Sequence, residues 1–376
     1  MALPEHIQKD RNELVERVVQ DIKEGKPFFW DKGHYGHPPR NASTEKNYLG
    51  INNLRLMVSS MKHGYKDSRW LTYKQAQALG GNVKKGEKGT HIEFWDYYKD
   101  KMAKNPQTGK LEPVLEPDPQ TGKMRRVRVK RDVPLVKCYS VFNAEQVEGM
   151  KPEHEITIKD EDRNQHMENM LKNSEAKIYY DQTDRNYYSH VTDEIHVMDR
   201  KDFKELEGFY ATVAHEIAHS TGAEKRLNRP MLMESDGFGG EKYAQEELRA
   251  ELTSMFLSQE YGLKLDEAHY QNHAAYLQSW AKALQDDPNE LYKAAADAQK
   301  AADYIKERMI EKGIKKTVEQ AEDKAESNGV TKETVKEQAE VKTASKETKL
   351  TPKQKLQARM SKRHSKGREK DKSMAV

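Results

Sequence analysis

Cysteine is almost missing from this chain: among 376 residues there is one, Cys138. An internal disulfide framework is thereby excluded, and the composition suits a reducing compartment. Long apolar runs are missing as well. No segment approaches the ~20 consecutive apolar residues that a membrane-spanning helix needs. The opening "MALPEHIQKDRNELVERVV" is charged and amphipathic, without the apolar stretch of a secretory signal. These absences lead to the expectation of a soluble, cytoplasmic protein. Apolar residues make up only 35 % of the chain and charged ones 34 %, so part of the length is expected to lie outside any packed core.

Charge is plentiful but unevenly placed. Residues 1–150 carry 27 Lys+Arg against 19 Asp+Glu, residues 151–312 carry 21 against 33, and residues 313–376 carry 17 against 10. A basic head, an acidic middle and a basic tail read as three physical units. The expected class is α+β: a small α+β head over 1–150, a mainly helical domain over 151–312, and a disordered tail over 313–376. Residues 351–376 hold 9 basic and 2 acidic side chains. That tail cannot bury enough apolar surface to offset ordering, and it serves either to add nonspecific DNA affinity or merely to solubilise.

In the head, a first helix carries Leu14, Val15, Val18, Val19 and Ile22 and stops at Gly25. Thr90–Trp95 and Val133–Phe142 read as strands, and Thr72–Leu79 as a short helix ended by Gly80-Gly81. "PQTGK" occurs twice, at Pro106–Lys110 and Pro119–Lys123. Each copy is a turn signal, so residues 99–131 read as a charged hairpin inserted between two paired strands. Three of the four tryptophans lie in this head, interleaved with Lys and Arg. Aromatic faces in a basic groove suit single-stranded nucleic acid, with Trp30, Arg40, Tyr48, Arg69, Trp70, Lys74, Lys84, Lys85, Lys88 and Trp95 as the candidate contacts. The competing reading makes these aromatics the core of a small domain and the charges its solvated surface. The acidic middle would repel phosphate and is not the expected DNA surface.

The middle contains "ATVAHEIAHSTG", Ala211–Gly222, an HExxH pattern. Asp202 is the expected N-cap of its helix and Gly222 the expected stop. Leu206, Tyr210, Val213 and Ile217 form one apolar stripe. At 100° per residue His215 and His219 fall on a different face, flanked by Ala211 and Ala218. Histidines at i and i+4 bring two imidazoles over one point, as a tetrahedral ion requires. A preceding strand, Glu194–Met198, is expected to offer its edge to an extended peptide.

A third ligand is expected from "YAQEELRAELTSMFLSQEYGL", Tyr243–Leu263, a helix with stripe Leu248, Leu252, Met255 and Phe256. Glu246 points roughly opposite the stripe, Glu247 lies at its far margin, and Glu251 sits nearest. The carboxylate nearest the buried stripe reaches a buried metal most easily, so Glu251 is the expected ligand. Glu247 is the alternative, as a ligand or as an acid orienting a histidine. One Zn²⁺ with an open fourth position would lower the pKa of water to about 7 and give Glu216 the role of general base. Tyr243, Arg226, His269 and His273 are open choices for an oxyanion donor.

Taken in order, "NYLGINNLRLM", "RWLTYKQAQALGGNVKKGEKGTHIEFW" and "YSVFNAEQVEG", followed by HExxH and "EELRAEL", resemble the ArdC-type antirestriction family over residues 5–305. Similar N-terminal domains occur in conjugal primases of the TraC type. The resemblance implies a single-stranded-DNA-binding N-terminal domain joined to a zincin-like metallopeptidase domain, carried on plasmids, phages or integrative elements. Its expected partners are single-stranded DNA and a restriction-related host protein. Two rivals stand beside it: an intracellular zinc protease whose head recognises protein, and a conjugation accessory protein with a non-catalytic zinc site.

Overall fold

A computed structural model describes residues 5–24, 37–119, 121–153, 158–233, 240–263 and 279–311. The tail beyond 311, Trp30, His269 and His273 lie outside the described residues. The chain is mixed α+β. In order it forms α1 (Glu5–Lys23), β1 (Arg40–Asn41), α2 (Ile51–His63), β2 (Arg69–Thr72), α3 (Tyr73–Ala78), β3 (Asn82–Val83) and β4 (Thr90–Asp100). There follow β5 (Met102–Lys104), β6 (Leu111–Pro113), β7 (Leu115–Pro117), β8 (Met124–Arg126), β9 (Arg128–Asn143) and β10 (Val147–Glu148). The second half comprises α4 (Asp160–Lys172), β11 (Lys177–Gln182), β12 (Tyr187–Ser189), β13 (Glu194–Met198), α5 (Leu206–Ser220), α6 (Pro230–Met233), α7 (Glu241–Tyr261) and α8 (Glu290–Ile305).

The head is built on a four-stranded sheet ordered β1-β2-β9-β4. Its long ribbon arises because β4 and β9 pair antiparallel from Thr90–Val141 outward to Asp100–Arg128, with a bulge between Asp96 and Tyr98. Both strands run several residues beyond the stretches legible in the sequence. The α3 helix starts where expected: Thr72 accepts from the Gln75 N–H while the Gln75 side chain caps the Thr72 N–H. One sheet face buries Trp70, Ile92 and Val141 against Leu56 of α2. The other packs Leu71 and Phe142 with Ala76 of α3, Ala144 and Val147.

The insertion between β4 and β9 differs from the single hairpin expected. Two small hairpins, β5–β6 and β7–β8, branch from the ribbon. Their roots meet in a triangle of backbone hydrogen bonds: Lys101 N–H to Val127 C=O, Val127 N–H to Val114 C=O, and Val114 N–H to Lys101 C=O, at 2.8–2.9 Å. Each tip is closed by an Asx-type turn. Asn105 accepts from the Gln107 and Thr108 amides, and Asp118 from the Thr121 amide. Gly109 and Gly122 follow at φ 67° and 66°, which favours glycine there. The two copies of PQTGK therefore mark two arms of a three-way junction.

The second half places α4, α5, α7 and α8 around a three-stranded sheet ordered β11-β13-β12. Its core joins Ile195, Phe209, Val213, Leu252, Met255 and Ala298 to Leu14, Val18 and Ile22 of α1 and Leu54 and Met57 of α2. The first two helices thus belong to the same core as the acidic half, and residue 150 does not separate two cores. Polar contacts fix the seam. Arg11 forms a two-pronged pair with Glu93, Nε to Oε1 at 2.8 Å and Nη2 to Oε2 at 2.6 Å, and also reaches Asn289 at 3.0 Å. Asn53 donates to Gln259 at 3.0 Å, and the Gly50 N–H to Gln299 at 2.9 Å. Arg55 joins Asp10 to the Tyr292 hydroxyl.

Candidate metal centre

The α5 helix begins at Leu206, with Glu205 rather than Asp202 at the N-cap; Asp202 lies in the preceding 3-10 turn. From Gly208 to Ser220 all but Thr212 are buried, so this helix is wanted on every side. Its end falls where expected, with Gly222 the first residue past the cap, although without the left-handed φ of a glycine stop. Thr221 caps it in right-handed geometry, and Gly222 serves close approach instead: a Cβ there would sit 2.9 Å from the Arg229 guanidinium and 2.9 Å from Leu232. Arg229 uses that space to donate to Ala218 C=O at 2.9 Å and to Thr221 Oγ1 at 2.7 Å.

His215 and His219 converge with one acid from α7. Their Nε2 atoms are 3.1 Å apart. Glu247 Oε2 lies 3.5 Å from His215 Nε2, and Oε1 lies 3.4 Å from His219 Nε2. A tetrahedral ion with bonds of about 2.0–2.1 Å needs ligand atoms about 3.3–3.4 Å apart. The donor set and its spacing fit a divalent metal held by His215, His219 and Glu247.

This corrects the preference for Glu251. The Glu251 carboxylate sits 3.0 Å from Nδ1 of His215, on the far side of the ring from the cluster. Glu246 takes the matching place behind His219, 3.3 Å from its Nδ1, and is itself gripped by Arg229. The acids of "EELRAEL" therefore divide the work: Glu247 faces the cluster, while Glu246 and Glu251 orient one imidazole each. Angular counting erred because α7 has no single buried stripe; Glu246, Glu247 and Glu251 are all buried.

Electrostatics follow from this crowding. Burial disfavours a charged imidazole, yet the Glu247 and Glu246 carboxylates outweigh it and push His219 up to about 9. His215 is raised well above its usual value against the same burial by Glu247 and Glu251. Burial opposes the charge of Glu247 too, but the two imidazoles hold its carboxyl well below the usual carboxylate range. Glu216 behaves oppositely: burial raises its pKa, only partly countered by the histidines and by the nearby Tyr188 backbone.

Tyr188 belongs to β12, which forms one edge of the small sheet, whereas Glu194–Met198 is the central strand with both edges paired. The edge expected of Glu194–Met198 is therefore already paired, and the sheet's two edges are β11 and β12. Arg226 is withdrawn from catalysis: its fully buried guanidinium pairs with Asp193 at 2.6 Å and donates to Ser220 C=O at 2.8 Å.

The head residues sort less favourably. Trp70 is wholly buried beneath α2 and presents no face for a base. Trp95 is half-buried, donates to Glu93 at 3.1 Å and stacks on Tyr97. Arg40 is engaged by Glu45 and Glu153, Arg69 by Asp67, and the Tyr48 hydroxyl by Asn41. Lys74, Lys84, Lys85 and Lys88 are exposed, with Lys84 donating to Glu145 C=O at 2.8 Å. Phe94, Tyr139 and Leu135, outside the candidate contacts, are each 41–52 % exposed. They lie where the ribbon extends past the helix that covers its base.

A HExxH helix packed on a small sheet, with an acid from the next long helix facing both histidines, defines a zincin-like metallopeptidase fold, and that family's model matches residues 165–297. The model for the N-terminal domain of anti-restriction factor ArdC matches residues 8–142. The crystal structure of antirestriction ArdC from plasmid R388 in its metal-free form is 31 % identical, with TM-score 0.60 over 80 % of this chain and 97 % of that one. Its Mn(II)-bound form gives 30 % identity and TM-score 0.57 over the same shares. A DNA primase TraC of Escherichia coli is 41 % identical over 301 residues, 78 % of this chain, though the chain spans only 26 % of that primase. The chain belongs to the ArdC family of antirestriction proteins. No helix among the described residues is long and apolar enough to cross a membrane.

Proposed function

We propose that this protein is an antirestriction factor of a mobile element that binds single-stranded DNA and cleaves a restriction-related host protein at a zinc centre. The observation carrying the peptidase half is the meeting of His215 and His219 Nε2, 3.1 Å apart, with the Glu247 carboxylate, one oxygen 3.5 Å from the first nitrogen and the other 3.4 Å from the second, on the helix that also carries Glu216. A divalent zinc there would supply Lewis acidity to water and to a peptide carbonyl. Glu216, beside the Tyr188 backbone and raised in pKa by burial, is suited to accept a proton at a carboxylate oxygen and return it to a leaving amine. Glu246 and Glu251 keep both imidazoles turned with Nε2 toward the cluster.

The deciding experiment is transfer of unmodified plasmid into a restricting host, with wild type and Glu216→Gln supplied in parallel and metal content measured. The expected outcome is protection by wild type, none by the variant, and equal metal in both. Equal protection by the two would mean that hydrolysis is not the mechanism. The deep burial of the centre favours that second reading, a metal that holds the fold while the head acts by binding: His215, Glu216, His219 and Glu247 are 5–8 % exposed.

A further inference from the structure

The β4/β9 ribbon carries an apolar strip outside the metal centre. Cross-strand register places Ile92, Phe94, Asp96 and, past the bulge, Tyr98 on one face of β4, with Val141, Tyr139, Lys137 and Leu135 opposite on β9. At the base of the ribbon this face is closed: Ile92 and Val141 lie under Leu56 and Trp70. Farther out it opens, leaving Phe94 52 %, Tyr98 49 % and Tyr139 42 % exposed. Phe94 and Tyr139 hold each other edge-to-face with centroids 6.4 Å apart, and the Arg128 guanidinium lies 5.6 Å over Tyr98. Two neighbouring rings are thus fixed in advance, at small entropic cost to whatever lands on them.

The surroundings are basic. Residues 99–131, which form the branched arm and its roots, hold 10 Lys+Arg against 4 Asp+Glu. Asp96 is neutralised by Arg128 and Arg131, and Asp100 by Arg126. Lys137 is the cross-strand partner of Phe94, Lys130 that of Tyr98, and each arm tip ends in a lysine, Lys110 and Lys123. Rigid ring faces in a positive field suit unpaired bases joined by phosphates. A duplex keeps its base faces inside its own stack and cannot use such rings.

We propose that single-stranded DNA lies on this ribbon face, bases stacked on Phe94, Tyr139 and Tyr98 and backbone tracked by Lys137, Lys130 and the branched arm. The inference rests on the reading that the head binds single-stranded DNA, and relocates the binding surface away from buried Trp70 and the ion-paired Arg40 and Arg69.

The test uses the full chain and a fluorescein-labelled oligo(dT), followed by anisotropy at several salt concentrations. Wild type should bind, and each ring removed in Phe94→Ala and Tyr139→Ala should weaken binding by about tenfold. Phe94→Tyr and Tyr139→Phe, which keep the ring faces, should retain affinity, separating stacking from a folding defect. Lys110→Glu with Lys123→Glu should flatten the salt slope by about 0.7 for each phosphate no longer neutralised. If wild type binds and the double alanine variant binds within twofold of it, the ribbon is not the seat while the DNA reading survives. Equal competition by duplex and single strand likewise overturns the stacking arrangement. If wild type does not bind at all, the inference falls together with the reading beneath it.

Discussion

At the scale of single residues, the centre depends on which side of each imidazole a carboxylate occupies. Glu247 meets both Nε2 atoms, so Glu247→Ala should remove one ligand and abolish stoichiometric metal binding, measured by zinc titration with a chelating indicator. Glu251→Gln leaves three ligands but loosens His215, and the expected loss in affinity is smaller, about 10–100-fold. Equal losses would place both acids on the metal. Protons compete for the same nitrogens. Because His219 is raised to about 9 in the metal-free protein, it is protonated at neutral pH, and metal must displace that proton. Metal affinity should therefore climb steadily as pH rises from 6 toward 9; a flat profile would contradict the carboxylate-crowded environment of His219.

Between neighbouring elements, the turn joining β12 to β13 is tied to the end of α5. Asp193 adopts φ 57°, accepts from the Tyr188 hydroxyl at 2.7 Å and pairs with Arg226 and Lys225. Burial works against its charge, but those cations bring its carboxyl down to about 2. A depressed acid stabilises the fold above its unfolded value of about 3.9, and that contribution disappears as pH falls through about 2. Asp193→Asn tolerates the same backbone and removes the charge. It should cost about 2 kcal/mol at pH 7, the depression of about two units discounted for partial exposure, with the difference from wild type closing at low pH. Urea melts at pH 7 and pH 3 test this, and an undiminished difference at pH 3 would show that the ion pairs are not the cause. The loop from Gly222 to Arg229 works alike, since Arg229 both caps α5 and holds Glu246 behind His219.

Across the whole molecule, the head and the peptidase-like half share one core through α1 and α2. Arg11 and Glu93 meet at the seam with side chains only 7 % and 1 % exposed. Arg11→Ala would leave a buried carboxylate without its cation, at a cost of about 3–5 kcal/mol. Calorimetry should show the whole protein melting earlier in one transition; an unchanged metal-bound half with a separately melting head would mean the halves are independent. Chelation of the metal should likewise lower the melting temperature of the entire chain, by mass action on a single folded unit.

Much of this was legible along the chain because it rests on local spacing. The i, i+4 histidines, the short helix from Thr72, the apolar face of α1 and the turn chemistry of PQTGK are each settled within a few residues, and each of these patterns forms the element it spells. The charge blocks also located the basic head without any fold. What tertiary structure decided are the questions that depend on distant neighbours. Glu247 displaces Glu251 because α7 is enclosed on all sides, so distance to an apolar stripe carries no information about distance to the histidines. Trp70 is covered and Phe94 is not because α2 ends its cover at the ribbon's base. Two arms stand where one hairpin was expected because backbone hydrogen bonds among Lys101, Val114 and Val127 are made between turns, not within them. Residue 150 marks a change in charge rather than a break in the core, because apolar side chains pack by proximity in space, and α1 lies against helices almost three hundred residues away.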